Sequence, residues 1–413
     1  MKSGKKISII TALLLGFSII TAGCGNGDTQ SSKVSSEAQS SVTVSSEAES
    51  KTEESKVKEN SAESTPDTSS KEESSQASAE ESSQTSESSG KSSSESKITP
   101  IVWEVTDTNG NNIYMMGSIH AGDADALIMP DYFETAYARC DALAVECDAT
   151  SSLSTLTSIS DLQKLVYSDG TTIKDHVPED EYNSAVNLLT DAGSYSPLYD
   201  MYKPIMWSTL AEKAAVEYAG LSFNYAVDTT LINRSKKEGK ELLEIESVES
   251  QMALLTSVPD ETQYILFNQI AQENYLNEAS NSINRIYVKW KTGALSDEDF
   301  NNDLSKLSPE EQTLIEDYNK MMEYDRNENM AQKAMEYLES GKKVMFVVGS
   351  AHFFKEKGII QLMKNNGCTV RQLTHDDADP SVLTSSSEPA DNSSEVSSES
   401  PVNETDPAVP RAA

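Results

Sequence analysis

The chain has 413 residues, with 67 Asp and Glu against 33 Lys and Arg and a formal net charge of -34. Such acidity, present in the stalk and again in Glu179-Asp180-Glu181 and Asp297-Glu298-Asp299, excludes nucleic acid as a partner. Beside Cys24 only Cys140, Cys147 and Cys368 remain, an odd number without metal-type spacing, so no disulfide framework staples the fold and the core must stand on packing.

Lys2, Lys5 and Lys6 precede an apolar run from Ile7 to Ile20, followed by Thr21-Ala22-Gly23-Cys24. This is the order of a secretory signal peptide, and the run is shorter than the ~20 residues that a membrane span needs. Ala22-Gly23-Cys24 resembles the lipobox of bacterial lipoproteins, with Thr21 where Leu is usual. The resemblance implies removal of residues 1–23 and a lipid on Cys24, which would anchor the chain at the extracytoplasmic face of the cell membrane. Residues 24–96 are almost wholly Ser, Glu, Lys, Thr, Ala and Gln, with no aromatic residue. Such a segment cannot bury enough surface to offset its ordering entropy, so it reads as a disordered linker with a reach of roughly 50 Å. Residues 377–413 have the same composition, and between the two lies one domain, 97–376.

Within that domain, Ile101 to Val105 and Ile113 to Met116 are short β-prone runs joined through Asn109-Gly110, which predicts an opening hairpin. A helix from Pro130 to Arg139 and a buried strand from Ala142 to Glu146 follow. Apolar residues then recur at helical spacing over Glu179 to Leu189, Leu198 to Tyr218, Ala226 to Glu238, Glu261 to Trp290 and Pro309 to Leu338. One short strand, Glu241 to Ile245, interrupts them. The chain returns to β structure at Lys343 to Val348, forms a helix from Lys355 to Lys364, and ends in a strand from Thr369 to Leu373. The fold class is α/β: strands from both ends build one mixed central sheet, and a large helical insertion lies between them.

Two of the four histidines have matching settings, Met115-Met116-Gly117-Ser118-Ile119-His120 and Val347-Val348-Gly349-Ser350-Ala351-His352. Each is an apolar strand running into Gly-Ser-x-His, where Gly117 and Gly349 let the chain turn or let another group approach. Ligands of open α/β sheets bind at strand ends. If these strands are neighbours, both imidazoles share one crevice. Two imidazoles can ligate a transition metal, or one can act as a base while the other polarises the substrate. Glu146, at the end of a buried strand, is costly there unless paired, protonated or metal-bound. Two histidines and a carboxylate also make a common set for catalytic Zn, Mn or Fe. Asp228 and Glu246 are second candidates, the alternatives being a helix-surface charge and a helix cap. Arg326 could orient a substrate carboxylate or form an internal ion pair. His176 and His375 lack such context and are expected to be exposed.

Trp103-Glu104-Val105, Gly117 to His120, Glu146, Lys203-Pro204, Asp228, Glu246 with Gln251, Arg326-Asn327, and Val348 to His352 followed by Gly358, in this order, resemble the TraB/GumN family, related to the Tiki proteins. The resemblance implies a fold shared with erythromycin-esterase-like and ChaN-like proteins, with both Gly-x-x-His segments and an acid lining one cleft. It further implies metal-dependent proteolysis, with Mn or Co, at His120, Glu146 and His352. No His-Glu-x-x-His helix is present. The expected function is a surface-tethered, metal-dependent hydrolase, of peptidase type, acting on an extracellular or envelope peptide or protein. The competing expectation is an envelope lipoprotein that binds haem, metal or peptide without turnover.

Overall fold

The computed structural model describes residues 98–148, 150–151 and 163–385. Cys24, the signal segment, the Ser/Glu-rich linker and the end of the tail lie outside the described residues. Among those described, no helix is long and apolar enough to cross a membrane.

Six strands form one sheet: β1 (Val102–Thr106), β2 (Asn112–Ser118), β3 (Ala142–Val145), β4 (Glu241–Glu244), β5 (Val344–Gly349) and β6 (Thr369–Gln372), in the order β4-β3-β5-β2-β1-β6. The first four in that order are parallel, while β1 pairs antiparallel with both β2 and β6. The opening hairpin is closed by Asp107, whose carboxylate accepts the backbone amides of Asn109 at 2.9 Å and Asn111 at 2.8 Å, with Gly110 at φ +87°. The C-terminal strand β5 lies between β2 and β3, so Ser118 is in register with Gly349 although the two are more than two hundred residues apart. That placement makes β5 buried along its whole length, as its unbroken apolar run requires.

Eleven helices among the described residues cover and extend this sheet: α1 (Asp131–Ala138), α2 (Glu179–Asp191), α3 (Pro204–Tyr218), α4 (Val227–Glu238), α5 (Val248–Ser257), α6 (Asp260–Ile270), α7 (Tyr275–Lys291), α8 (Pro309–Asn319), α9 (Asp325–Ser340), α10 (Ile359–Asn365) and α11 (Pro380–Ser385). Alternate strand residues face opposite layers. Met116, Leu143, Val145 and Val347 pack with Trp207 and Trp290, whereas Met115, Ala144 and Phe346 pack with Met330, Ala334 and Leu338 of α9. A third apolar cluster, including Ile205, Leu255, Leu266 and Ile315, joins α3, α5, α6 and α8.

The expected helix over Glu261 to Trp290 is two helices, because Asn274 sits in the left-handed region at φ +69° and turns the chain between α6 and α7. Apolar periodicity persists on both sides, which hides the break in the sequence. Leu198 to Tyr218 is a 3-10 turn, Pro197–Met201, followed by α3, whose Pro204 starts the helix where its missing N–H costs nothing. The helix expected from Lys355 starts only at Ile359: Lys355 has φ +70°, and a Cβ on Gly358 would lie 2.0 Å from the Phe354 carbonyl oxygen. The Pro309 to Leu338 stretch is helical throughout but contains a π turn, Lys320–Tyr324, between α8 and α9. Described structure runs past residue 376, where Asp379 pairs with Arg139.

Candidate functional site

The parallel half of the sheet delivers one candidate residue from each carboxyl end: Glu246 after β4, Glu146 after β3, His352 after β5 and His120 after β2. Strand order reverses here, since β2 and β3 are sequential yet separated by β5, and such a switch point opens a crevice at the strand ends. The close approach of the two Gly-Ser-x-His segments explains Gly117. A Cβ there would stand 2.7 Å from Ser350 Oγ and 2.8 Å from Ser350 Cα. Ser350 Oγ donates to the Ser118 carbonyl at 2.8 Å, and the Trp290 indole donates to the Gly117 carbonyl at 2.8 Å, fixing both segments.

His120 is oriented from behind by Asp228, whose Oδ2 lies 2.8 Å from Nδ1. The Val227 amide donates to the Ile119 carbonyl at 3.0 Å, so the first turn of α4 is tied to the segment that carries the ring. Burial opposes ionisation of Asp228, but the His120 charge, its hydrogen bond and the Thr229 amide outweigh that and hold the carboxyl below its ordinary value. An ionised carboxylate only accepts, so the proton of this hydrogen bond is on His120 Nδ1.

His352 is only 1% exposed, and its Nδ1 lies 2.6 Å from Asn327 Oδ1. The Asn327 amide nitrogen donates to the Lys357 carbonyl at 3.0 Å, which turns its oxygen towards the ring. Nδ1 therefore carries the proton and Nε2 the lone pair. Burial, then the charges of Arg326, His120 and Lys355, push the ring well below its ordinary pKa, so it stays neutral.

Glu146 is held from three sides: its Oε1 accepts the Gly349 amide at 2.7 Å, and its Oε2 accepts Arg326 Nη2 at 2.7 Å and Gln251 Nε2 at 3.1 Å. Glu246 accepts from Arg326 Nε and Nη2, both at 2.8 Å, and from Gln251 at 2.9 Å. Its alternative role as a cap is filled by Ser247, which accepts from Ser250. Arg326 also donates to the Met322 carbonyl at 3.1 Å, within the π turn. Of the two readings of Arg326, the internal ion pair is present in the structure. Arg326 is 5% exposed, and the donors that would meet a substrate already serve two carboxylates.

Among the described residues, no group of three or more His, Cys, Asp and Glu side chains is arranged to hold a metal ion. Two donors do suit one. His352 Nε2 is buried without a hydrogen-bond partner and lies 3.9 Å from Glu146 Oε1, a span that an ion with bonds of about 2.1 Å to each can bridge. The acceptors behind both imidazoles, Asp228 and Asn327, are the outer partners that ligating histidines require.

His120, Ser118 and Ser350 open on a cavity in the helical layer. Glu212 of α3 also lines it; part of its surface faces the cavity, but the protein encloses it closely enough that burial pushes its carboxyl up to about 8, against the pull of His120. Sequence reasoning gave no role to Asn327, Gln251 or Glu212. The signal for Asn327 was its place beside Arg326, and for Glu212 its place in an otherwise apolar helix, PIMWSTLAEKAAVEY. His176 stacks on Tyr167 with ring centroids 4.1 Å apart, and His375 is an exposed partner of Asp131; neither approaches the site residues through any hydrogen bond or ion pair among the described residues.

A protein of Escherichia coli (strain K12) described as "Uncharacterized protein YbaP" is 21% identical over 261 residues, which cover 63% of this chain and 91% of that protein. A protein of Shigella flexneri with the same description is equally similar, 21% over 261 residues. No solved structure matches the chain. Residues 101–372 match the TraB/PrgY/gumN family, a span that contains every strand of the sheet and all four strand-end residues of the crevice. The chain belongs to the TraB/PrgY/gumN family.

Proposed function

We propose that the chain is a hydrolase of peptidase type, working at the crevice where His120, Glu146 and His352 meet. The observation that carries this reading is the buried lone pair of His352 Nε2, without a hydrogen-bond partner and beside a fixed carboxylate. A ring kept neutral by burial and nearby cations is a lone-pair donor across the physiological range. His120 is the complementary group: the Asp228 carboxylate offsets the positive charge that develops when this ring takes up a proton, so it suits proton transfer to a leaving group. Arg326 and Gln251 hold Glu146 in place through two hydrogen bonds, and the Gly349 amide fixes its other oxygen. A divalent ion, Mn, Co, Zn or Fe, held by His352 and Glu146 would lower the pKa of water and polarise the scissile carbonyl, leaving His120 free for proton transfer.

A lipid on Cys24 would keep this chemistry at the outer face of a membrane, with an envelope or extracellular peptide or protein as substrate. The test uses the full chain against a broad peptide library, with each metal and with chelator, beside His120→Ala and His352→Ala. Each substitution should lower cleavage by about 10²–10⁴-fold. Cleavage equal to the parent's in both variants, or peptide capture without turnover in the parent, would overturn the reading. Cys24→Ala should move the chain from the membrane to the soluble fraction.

A further inference from the structure

The cavity beside His120 is walled mainly by apolar groups, among them Val216, Leu221, Phe223, Ile286 and Phe300. One carboxyl interrupts that wall, Glu212. It lies on α3 between Ala211 and Ala214, both buried, and among the described residues no hydrogen bond or ion pair to its side chain is present. A carboxyl in such surroundings is costly unless a partner arrives. Structural acids elsewhere in this chain have their cations: Asp299 has Lys289 and Glu323 has Lys355.

We propose that this cavity is a subsite for a cationic side chain on an apolar stem, of lysine or arginine type, with Glu212 as its counter-ion. The aliphatic wall fits the stem. Phe223, Tyr287 and Phe300 add aromatic rings to the lining. The burial that pushes the Glu212 carboxyl up to about 8 also means that little water screens a cation placed against it. A cation favours the ionised form of Glu212, whereas a neutral apolar side chain leaves the carboxyl without a partner and a carboxylate gains no counter-charge from it. At long range the net charge of -34 draws cationic ligands towards the chain. Because His120 lies on the same cavity, the occupant belongs to the residue next to the scissile bond; this last step rests on the hydrolase reading, whereas cation binding does not.

Three probes with one stem and different heads separate the possibilities: hexylamine, hexanol and hexanoate, titrated into the full chain and followed by ligand-observed NMR. Hexylamine should bind about tenfold more tightly than hexanol, and hexanoate should not bind. Glu212→Gln should bring hexylamine down to the hexanol level and leave hexanol unchanged. Val216→Trp, which fills the cavity, should abolish both. Hexanol binding as tightly as hexylamine, hexylamine affinity unchanged in Glu212→Gln, or amine binding that survives Val216→Trp each overturns the proposal. Turnover is not needed for any of these readouts, so a chain that binds hexylamine and cleaves nothing would sink the hydrolase reading alone.

Discussion

His120 and His352 end the same pattern on neighbouring parallel strands, yet their surroundings divide them. Behind His120 stands a carboxylate on α4; behind His352 stands a neutral amide on α9, with Arg326 and Lys355 close enough to disfavour a second positive charge. One ring faces an open cavity, and the other is enclosed beside an ion-paired carboxylate. A repeated motif thus places two imidazoles without equating them. What each ring does is set by the residue that meets its Nδ1, and neither of those residues belongs to the motif.

The largest test removes the ionic frame on the His352 side. Arg326→Met leaves Glu146 and Glu246 buried without their shared cation and should lower unfolding free energy by about 3–5 kcal/mol in urea denaturation. A loss below about 1 kcal/mol would mean that the carboxylates do not depend on it. On the other side, Asp228→Asn replaces the carboxylate by an amide and makes His120 resemble His352. The rate of cleavage, as kcat/KM, should fall by about 10–100-fold with the fold intact; an unchanged rate would show that the difference in backing is irrelevant.

The reciprocal exchange, Asn327→Asp, gives His352 a carboxylate. A nearby negative charge favours the imidazolium, so at any acidic pH less of the ring is neutral. The acid limb of the pH–rate profile should move upward by about one unit. A profile that stays in place would separate His352 from the titration that limits the rate. The smallest effect is on stability. The folded state holds His352 neutral, whereas the unfolded chain takes up a proton below about 6.5, so unfolding binds protons in acid and stability falls as pH drops through that range. The contribution is present above 6.5, is lost at a slope of about 1.4 kcal/mol per pH unit, and should disappear from the stability curve of His352→Gln.

Much of this was legible in the sequence because the informative residues sit on strands. Strand ends fix direction tightly, so a Gly-Ser-x-His after an apolar run and a Glu after Ala142 to Val145 identified one crevice before any coordinates. The hairpin at Asn109-Gly110 followed from turn chemistry, and β5 from its unbroken apolar run. Helical residues were harder. Asn327 faces His352 from the first turn of α9, which follows the π turn at Lys320–Tyr324, and a shift in helical phase leaves no mark in composition. Glu212 sits among residues that read as ordinary core. The alternatives for Asp228, Glu246 and Arg326 turned on tertiary partners that periodicity does not encode.

The position of β5 has a consequence for the life of the molecule before it is complete. It is the fifth strand in the chain but lies third in the sheet, between β3 and β2, so the β1–β2 pair and the β3–β4 pair are joined only by a strand made after all four. Contacts of such long range form late in folding. A chain interrupted before Val344 has neither its central strand nor His352, and β2 and β3 have no path to pair. The crevice therefore cannot arise on a chain that stops short of β5 and His352.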